Sequence, residues 1–125
     1  MKQIITSAKA PAPIGPYSQA VKANGMLFIS GQIAINPSNG DMVTADIVAE
    51  TKQVMNNLSA ILSEAGMDFS NVVKSTIFVK DLNNFATVNK VYGEFFTVEP
   101  PARETVEVSR LPKDANVEVS CIAVK

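Results

Sequence analysis

The 125-residue chain contains no histidine and a single cysteine, Cys121. Without histidine, Ser-His-Asp and Cys-His nucleophile arrangements are excluded, and so are His-ligated metal sites. A lone thiol forms no intramolecular disulfide and no multi-thiolate metal site. Within the stretch Val117 to Val124, Cys121 reads as a small buried core residue. There is no glycine-rich phosphate loop: Gly15, Gly25 and Gly31 stand alone, in neither GxGxxG nor GxxxxGK[ST] spacing. No apolar run approaches the ~20 residues of a membrane span. The opening Met1 to Ile5 is too short for the apolar region of a signal peptide. Net charge is −1 with no run of one sign, so no basic face for nucleic acid is expected. These absences predict a cytoplasmic, soluble protein with no metal, no nucleic-acid partner and no membrane partner. Any catalysis must come from carboxylates, Arg, Lys, Ser, Thr, Tyr, backbone groups and water.

What is present is a chain 46% apolar, predicted to fold as one domain over residues 1–125. A chain of that length buries roughly two-thirds of the surface it would expose unfolded. Ala10-Pro11-Ala12-Pro13-Ile14-Gly15-Pro16 is the one compositional shift. Its prolines forbid a helix and remove backbone donors, which predicts an extended or turning loop. Asn24-Gly25, between Gln19–Ala23 and Met26–Ser30, predicts a type I′ hairpin. Asn36-Pro37-Ser38-Asn39-Gly40 is a second turn cluster.

From about Asp46 to Ala65, apolar residues including Val54, Met55, Leu58, Ile61 and Leu62 step by threes and fours, predicting a helix that Gly66 ends. That stripe is core. Val72 to Lys80 predicts a strand. A second helix is expected from about Asn83 to Thr97, with Asn83 as cap and Phe85, Val88, Tyr92, Phe95 and Phe96 on one face. Pro100-Pro101 closes it, and two strands follow, Arg103 to Arg110 and Asn116 to Val124.

Two helices cannot cover both faces of such a sheet, so an α+β sandwich with both helices on one face is expected. Alternation assigns Val73, Ile77, Val79, Leu27, Ile29, Val117, Val119, Cys121 and Ala123 to the core side. The other face still carries Met26, Phe28, Phe78, Ile122 and Val124, more apolar than an antiparallel face left in water. Burial against further subunits accounts for it, so an oligomer is predicted.

If the helices lie on the Val106/Val108 side, Arg103, Thr105 and Glu107 project from the second face, and by the same alternation so do Glu118 and Ser120. A guanidinium there could bind a carboxylate bidentately, and a nearby Glu could orient or deprotonate water. A structural Arg–Glu ion pair fits the same pattern, because register is not fixed by sequence; both readings stay open here. Tyr17, directly after the rigid loop, could offer a phenol to a ligand or simply pack. Gly31, in Ser30-Gly31-Gln32, permits close approach of a ligand or of a neighbouring strand. Asn89 reads as a capping or surface residue.

Taken together, Gly15-Pro16-Tyr17-Ser18-Gln19-Ala20, Ser30-Gly31-Gln32-Ile33, Val79-Lys80-Asp81-Leu82-Asn83-Asn84-Phe85 with Val88-Asn89, Pro100-Pro101-Ala102-Arg103, and Arg110-Leu111-Pro112-Lys113-Asp114 with Val117-Glu118-Val119 resemble, in order, the signatures of the RidA (YjgF) family of reactive-intermediate imine deaminases. The resemblance implies a chorismate-mutase-like α+β fold with one mixed sheet. It also implies a homotrimer whose sheets form a central barrel, with active sites in clefts between subunits. The implied activity is cofactor-free hydrolysis of 2-imino acids such as 2-iminopropanoate and 2-iminobutanoate, derived from enamines such as 2-aminoacrylate, to 2-keto acids and ammonia. Carried over by position, Arg103 binds the substrate carboxylate, Glu118 holds the attacking water, and Tyr17 lies near the imine end. Ser30, Gly31 and Asn89 line the cleft. Thr105 stands where some members have cysteine, with its backbone carbonyl available to hold water. Ser120 stands where many members have a second glutamate.

Two other functions compete. A regulatory module could use the same cleft to bind keto acids or other small carboxylates without turnover. The older family label of ribonuclease fits poorly with near-neutral charge and no histidine.

Overall fold

A computed structural model describes residues 1–125. Asn24 and Gly25 both take positive φ (52° and 76°), the geometry a type I′ turn demands, and join strands β2 (Ala20–Ala23) and β3 (Met26–Gln32). A further strand, β1 (Gln3–Ile5), pairs antiparallel with β2. It was not foreseen: three residues followed by a polar, Pro-rich segment carry no periodicity to read. The Asn36–Gly40 cluster turns the chain as expected, bridging Ile35 to Met42.

Helix α1 (Ile47–Glu64) starts where Asp46 accepts a hydrogen bond from the Ala49 amide at 2.7 Å and stops before Gly66, at φ 72°. Its stripe of Val54, Met55, Leu58, Ile61 and Leu62 is fully buried. Strand β4 (Val72–Val79) follows. A register shift between Val72 and Lys74 adds a residue to one strand, which turns Val73 outward (47% exposed) and Ser75 inward. The expected placement of Val73 on the core side is therefore corrected.

The second helix, α2 (Phe85–Gly93), is shorter than expected. A 3₁₀ turn over Leu82–Asn84 precedes it, and Asp81, not Asn83, supplies the cap, accepting from the Asn83 amide. Phe95 and Phe96 lie beyond the helix and pack edge-on against Phe69. Strand β5 (Ala102–Glu107) ends three residues before the expected Arg110, and β6 (Val117–Val124) completes the sheet.

The sheet order is β1-β2-β3-β6-β4-β5, antiparallel throughout except for the parallel β4–β5 pair. Strands β3 and β4 are both antiparallel to β6, hence parallel to each other. The crossovers β3–α1–β4 and β4–α2–β5 thus advance in the same direction, and right-handed connections put both helices on one face. There α1 packs on β3, β6 and α2. The expected α+β sandwich of one mixed sheet and two helices on one face is what the chain forms.

On the other face, register aligns Ile4, Val21, Phe28 and Ile122 in one row across four strands. Ile4 is 49% and Phe28 43% exposed, so the protomer presents an apolar sheet face to its surroundings.

Candidate active site

Strand β5 decides where the predicted residues go. Its register with β4 pairs Arg103 with Ser75, Thr105 with Ile77 and Glu107 with Val79, and those three β4 residues are buried on the helix side. Arg103, Thr105 and Glu107 therefore face the helices, while Val106 lies on the open face at 40% exposure. Glu118, paired with Phe78, and Ser120, paired with Thr76, lie on that open face. The expectation that Arg103 and Glu118 share one face is overturned: within a protomer the sheet separates them. The structural ion pair goes with it, since the protomer's salt bridges are Lys74–Glu104 and Lys80–Asp114. Apolar-in, polar-out patterning failed here because β5 is an edge strand, and Arg103 finds an aromatic surface on the helix side.

Two half-sites result. In the first, the Arg103 Nη1 donates to Asn89 Oδ1 at 2.7 Å. Its guanidinium carbon sits 5.1 Å from the Tyr92 ring centre and 5.8 Å from that of Phe85. All the groups holding this cation are neutral. Thr105 Oγ1 and Tyr92 Oη, both close by, are sealed from solvent without a hydrogen-bond partner. Burial raises the Tyr92 phenol pKa above its ordinary value, so the ring stays neutral beside the cation. Behind them, Ser75 Oγ and Cys121 Sγ approach to 3.5 Å, and burial pushes the thiol up to about 11. A thiol so poised is inert, in keeping with the core role expected for it. Glu107 accepts from the Leu82 amide at 2.9 Å, tying β5 to the turn that starts α2. Val108 N donates to Val79 O, so by alternation the backbone groups of Arg103 and Thr105 point to the open sheet edge.

The second half-site is a cleft of about 360 Å³ at one end of the β3–β6 pair. Tyr17, Ser30, Gly31 and Glu118 line it, with Ile14, Ile33, Ile35 and Pro112 as apolar wall. The Pro-rich loop over it is tied down by Gln19, whose role sequence reasoning missed. Gln19 Oε1 accepts from the Ser7 amide, and its Nε2 donates to the carbonyls of Ser7, Ala10 and Pro11. The signal was there: a loop short of donors needs a side-chain amide to satisfy its carbonyls. Ser30 Oγ donates to Ser18 O at 2.7 Å, and Tyr17 Oη accepts the Ile14 amide at 3.3 Å, fixing the phenol at the mouth.

A Cβ on Gly31 would stand 2.7 Å from the Glu118 carboxyl, so the glycine makes room for that side chain. Glu118 is half-buried, and loss of solvation alone raises its pKa; no cation or donor offsets it. Glu50, on the first turn of α1 and fully buried, accepts from the amide and side chain of Asn116 at 2.7 and 2.8 Å, anchoring the start of β6 two residues before Glu118. The site residues expected from sequence thus fall into two sets, Arg103, Asn89 and Thr105 on one side and Tyr17, Ser30, Gly31 and Glu118 on the other. One half offers an unpaired cation and the other an uncompensated carboxyl.

A mixed sheet of this order with two helices on one face and polar residues gathered at its edge and end defines a two-layer α+β domain. Over residues 7–125 the chain matches the family described as Endoribonuclease L-PSP. A RutC family protein of Pyrococcus horikoshii is 52% identical over 125 residues, covering 100% of this chain and 99% of that protein. The mouse 2-iminobutanoate/2-iminopropanoate deaminase is 46% identical over 125 residues, covering 100% of this chain and 93% of that protein. Among solved structures, a Rid-family protein of unknown function from Yersinia pestis superposes with a TM-score of 0.98 at 48% identity, covering 100% of both chains. The chain belongs to the Rid (YjgF) family.

Proposed function

We propose that the protein is a cytoplasmic 2-imino acid deaminase, working as a homotrimer, that hydrolyses 2-iminopropanoate and 2-iminobutanoate. The observation that carries this reading is the unpaired guanidinium of Arg103, held by neutral groups alone, on the opposite sheet face from Glu118. A cation without an internal partner is free for an external carboxylate, and bidentate binding orients it. Each protomer carries both sets but on opposite sides of its sheet, so the working site takes Arg103, Asn89 and Thr105 from one subunit and Tyr17, Ser30, Gly31 and Glu118 from the next. The exposed row of Ile4 and Phe28 supports burial of that face between copies.

In this site Arg103 clamps the substrate carboxylate, and Glu118 holds a water against the imine carbon. As the water oxygen bonds to that carbon, Glu118 accepts a proton and the C=N electron pair moves to nitrogen, giving a carbinolamine. The nitrogen takes up that proton from Glu118; the carboxylate then accepts the hydroxyl proton as C=O forms and the C–N bond breaks, and 2-keto acid and ammonia leave. A protonated imine is already electrophilic, so orientation of water and substrate supplies most of what is required. General-base help from a placed carboxylate contributes about 10²- to 10⁴-fold. Enamines such as 2-aminoacrylate enter by tautomerising to the imine. The family description names an endoribonuclease; net charge −1 and the absence of histidine favour the deaminase.

The test generates 2-aminoacrylate from serine with a dehydratase and follows loss of the imine. Wild-type protein is expected to accelerate that loss and Arg103→Ala to abolish the acceleration. Retained acceleration in Arg103→Ala would contradict the proposal. Binding of 2-ketobutyrate with no hydrolysis would point instead to a sensing module.

A further inference from the structure

The side chains of Phe85, Asn89 and Tyr92 are spaced i, i+4, i+7 along α2, one stripe of a helix. All three meet Arg103: Asn89 through the 2.7 Å hydrogen bond, Phe85 and Tyr92 through their rings at 5.8 and 5.1 Å. Read from sequence, Phe85 and Tyr92 belong to a core stripe with Val88. In the structure, Val88 and Tyr92 are buried, but Phe85 remains 38% exposed, which a core role alone does not explain. Arg103 sits on the edge strand, where no neighbouring strand restrains it from beyond.

An arginine side chain loses considerable rotamer freedom when fixed, and its planar head is oriented by aromatic faces without being neutralised. A carboxylate partner would orient it equally well but would compete with an anionic ligand. We infer that Phe85 and Tyr92 are positioning residues: they form an aromatic slot that holds the Arg103 guanidinium in its ligand-binding orientation while leaving its charge available. This rests on the reading of Arg103 as the carboxylate clamp. Phe85 is the informative member, because its partial exposure lets the slot be altered at little cost to the core.

The experiment compares wild type, Phe85→Leu, Phe85→Tyr and Arg103→Ala in imine hydrolysis and in calorimetric binding of 2-ketobutyrate, with Tm measured alongside. Phe85→Leu is expected to raise KM and the Kd for 2-ketobutyrate about fivefold to tenfold, with kcat and Tm close to wild type. Phe85→Tyr, which keeps the ring, is expected to restore both constants. Wild-type KM and Kd in Phe85→Leu, alongside an inactive Arg103→Ala, would overturn the slot and leave the clamp standing. A fall in kcat and Tm with KM unchanged would also overturn it, marking Phe85 as packing only. Full activity in Arg103→Ala would overturn the underlying reading itself.

Discussion

Gly31 governs Glu118 by lacking a side chain. A methyl group there would meet the far end of Glu118, not backbone, so Gly31→Ala displaces the carboxyl and spares the fold. A shift of about 1 Å in a reacting group costs on the order of 100-fold. Gly31→Ala is therefore expected to lose about that much in kcat, with an unchanged circular dichroism spectrum and Tm. Glu118 itself should write the pH profile. On the proposed mechanism its working form is the carboxylate, and burial raises its pKa above the ordinary 4.5, so kcat/KM is expected to fall as pH drops through a value higher than 4.5. Glu118→Gln is expected to lose about 10²- to 10⁴-fold in kcat and to flatten the acid limb in whatever activity is left. Stability has the opposite sense. The fold binds this proton more tightly than the unfolded chain does, so the group favours folding most below 4.5 and contributes less as pH rises through its folded pKa.

At the level of elements, the Pro-rich loop and the edge strand β5 shape the two half-sites, each held by a different device. Gln19 is buried and makes four hydrogen bonds to the loop's first half. Gln19→Ala leaves the Ser7 amide and several carbonyls without partners, and is expected to cost on the order of 2 kcal/mol in urea denaturation. It should also lower kcat/KM about tenfold, since Tyr17 rides on the loop. Elements with strong local signals were legible in the sequence: the Asn24-Gly25 hairpin, α1 between Asp46 and Gly66, and the alternation of β6. Elements fixed by partners were not. Strand β1 exists because β2 offers it an edge. The face of β5 is set by its register with β4, which alternation within Arg103–Glu107 cannot reveal. The bulge at Val73 inverts a pattern that reads regular on paper. The candidate site was legible as a set of residues through the family resemblance, but its division across the sheet was not, because that follows from register alone.

At the scale of the whole chain, the two faces of the sheet differ. One sheet face is covered by helices, and the other exposes Ile4 and Phe28 beside Val21 and Ile122. The cation and the carboxyl lie on opposite sides of that sheet. In the proposed assembly, association through the open face would bury the apolar row and bring one subunit's Arg103 toward the next subunit's Glu118, so assembly and activity are expected to be lost together. Mixing subunits tests this most directly. Arg103→Ala and Glu118→Gln proteins, each nearly inactive alone, are co-expressed with different tags and the mixed oligomers purified. A cyclic trimer that contains both kinds of subunit has both an intact Arg103 and an intact Glu118 at one of its three sites, about a third. The expected result is recovery of imine hydrolysis to about that fraction of wild type. Mixed oligomers no more active than either parent would contradict a site shared between subunits.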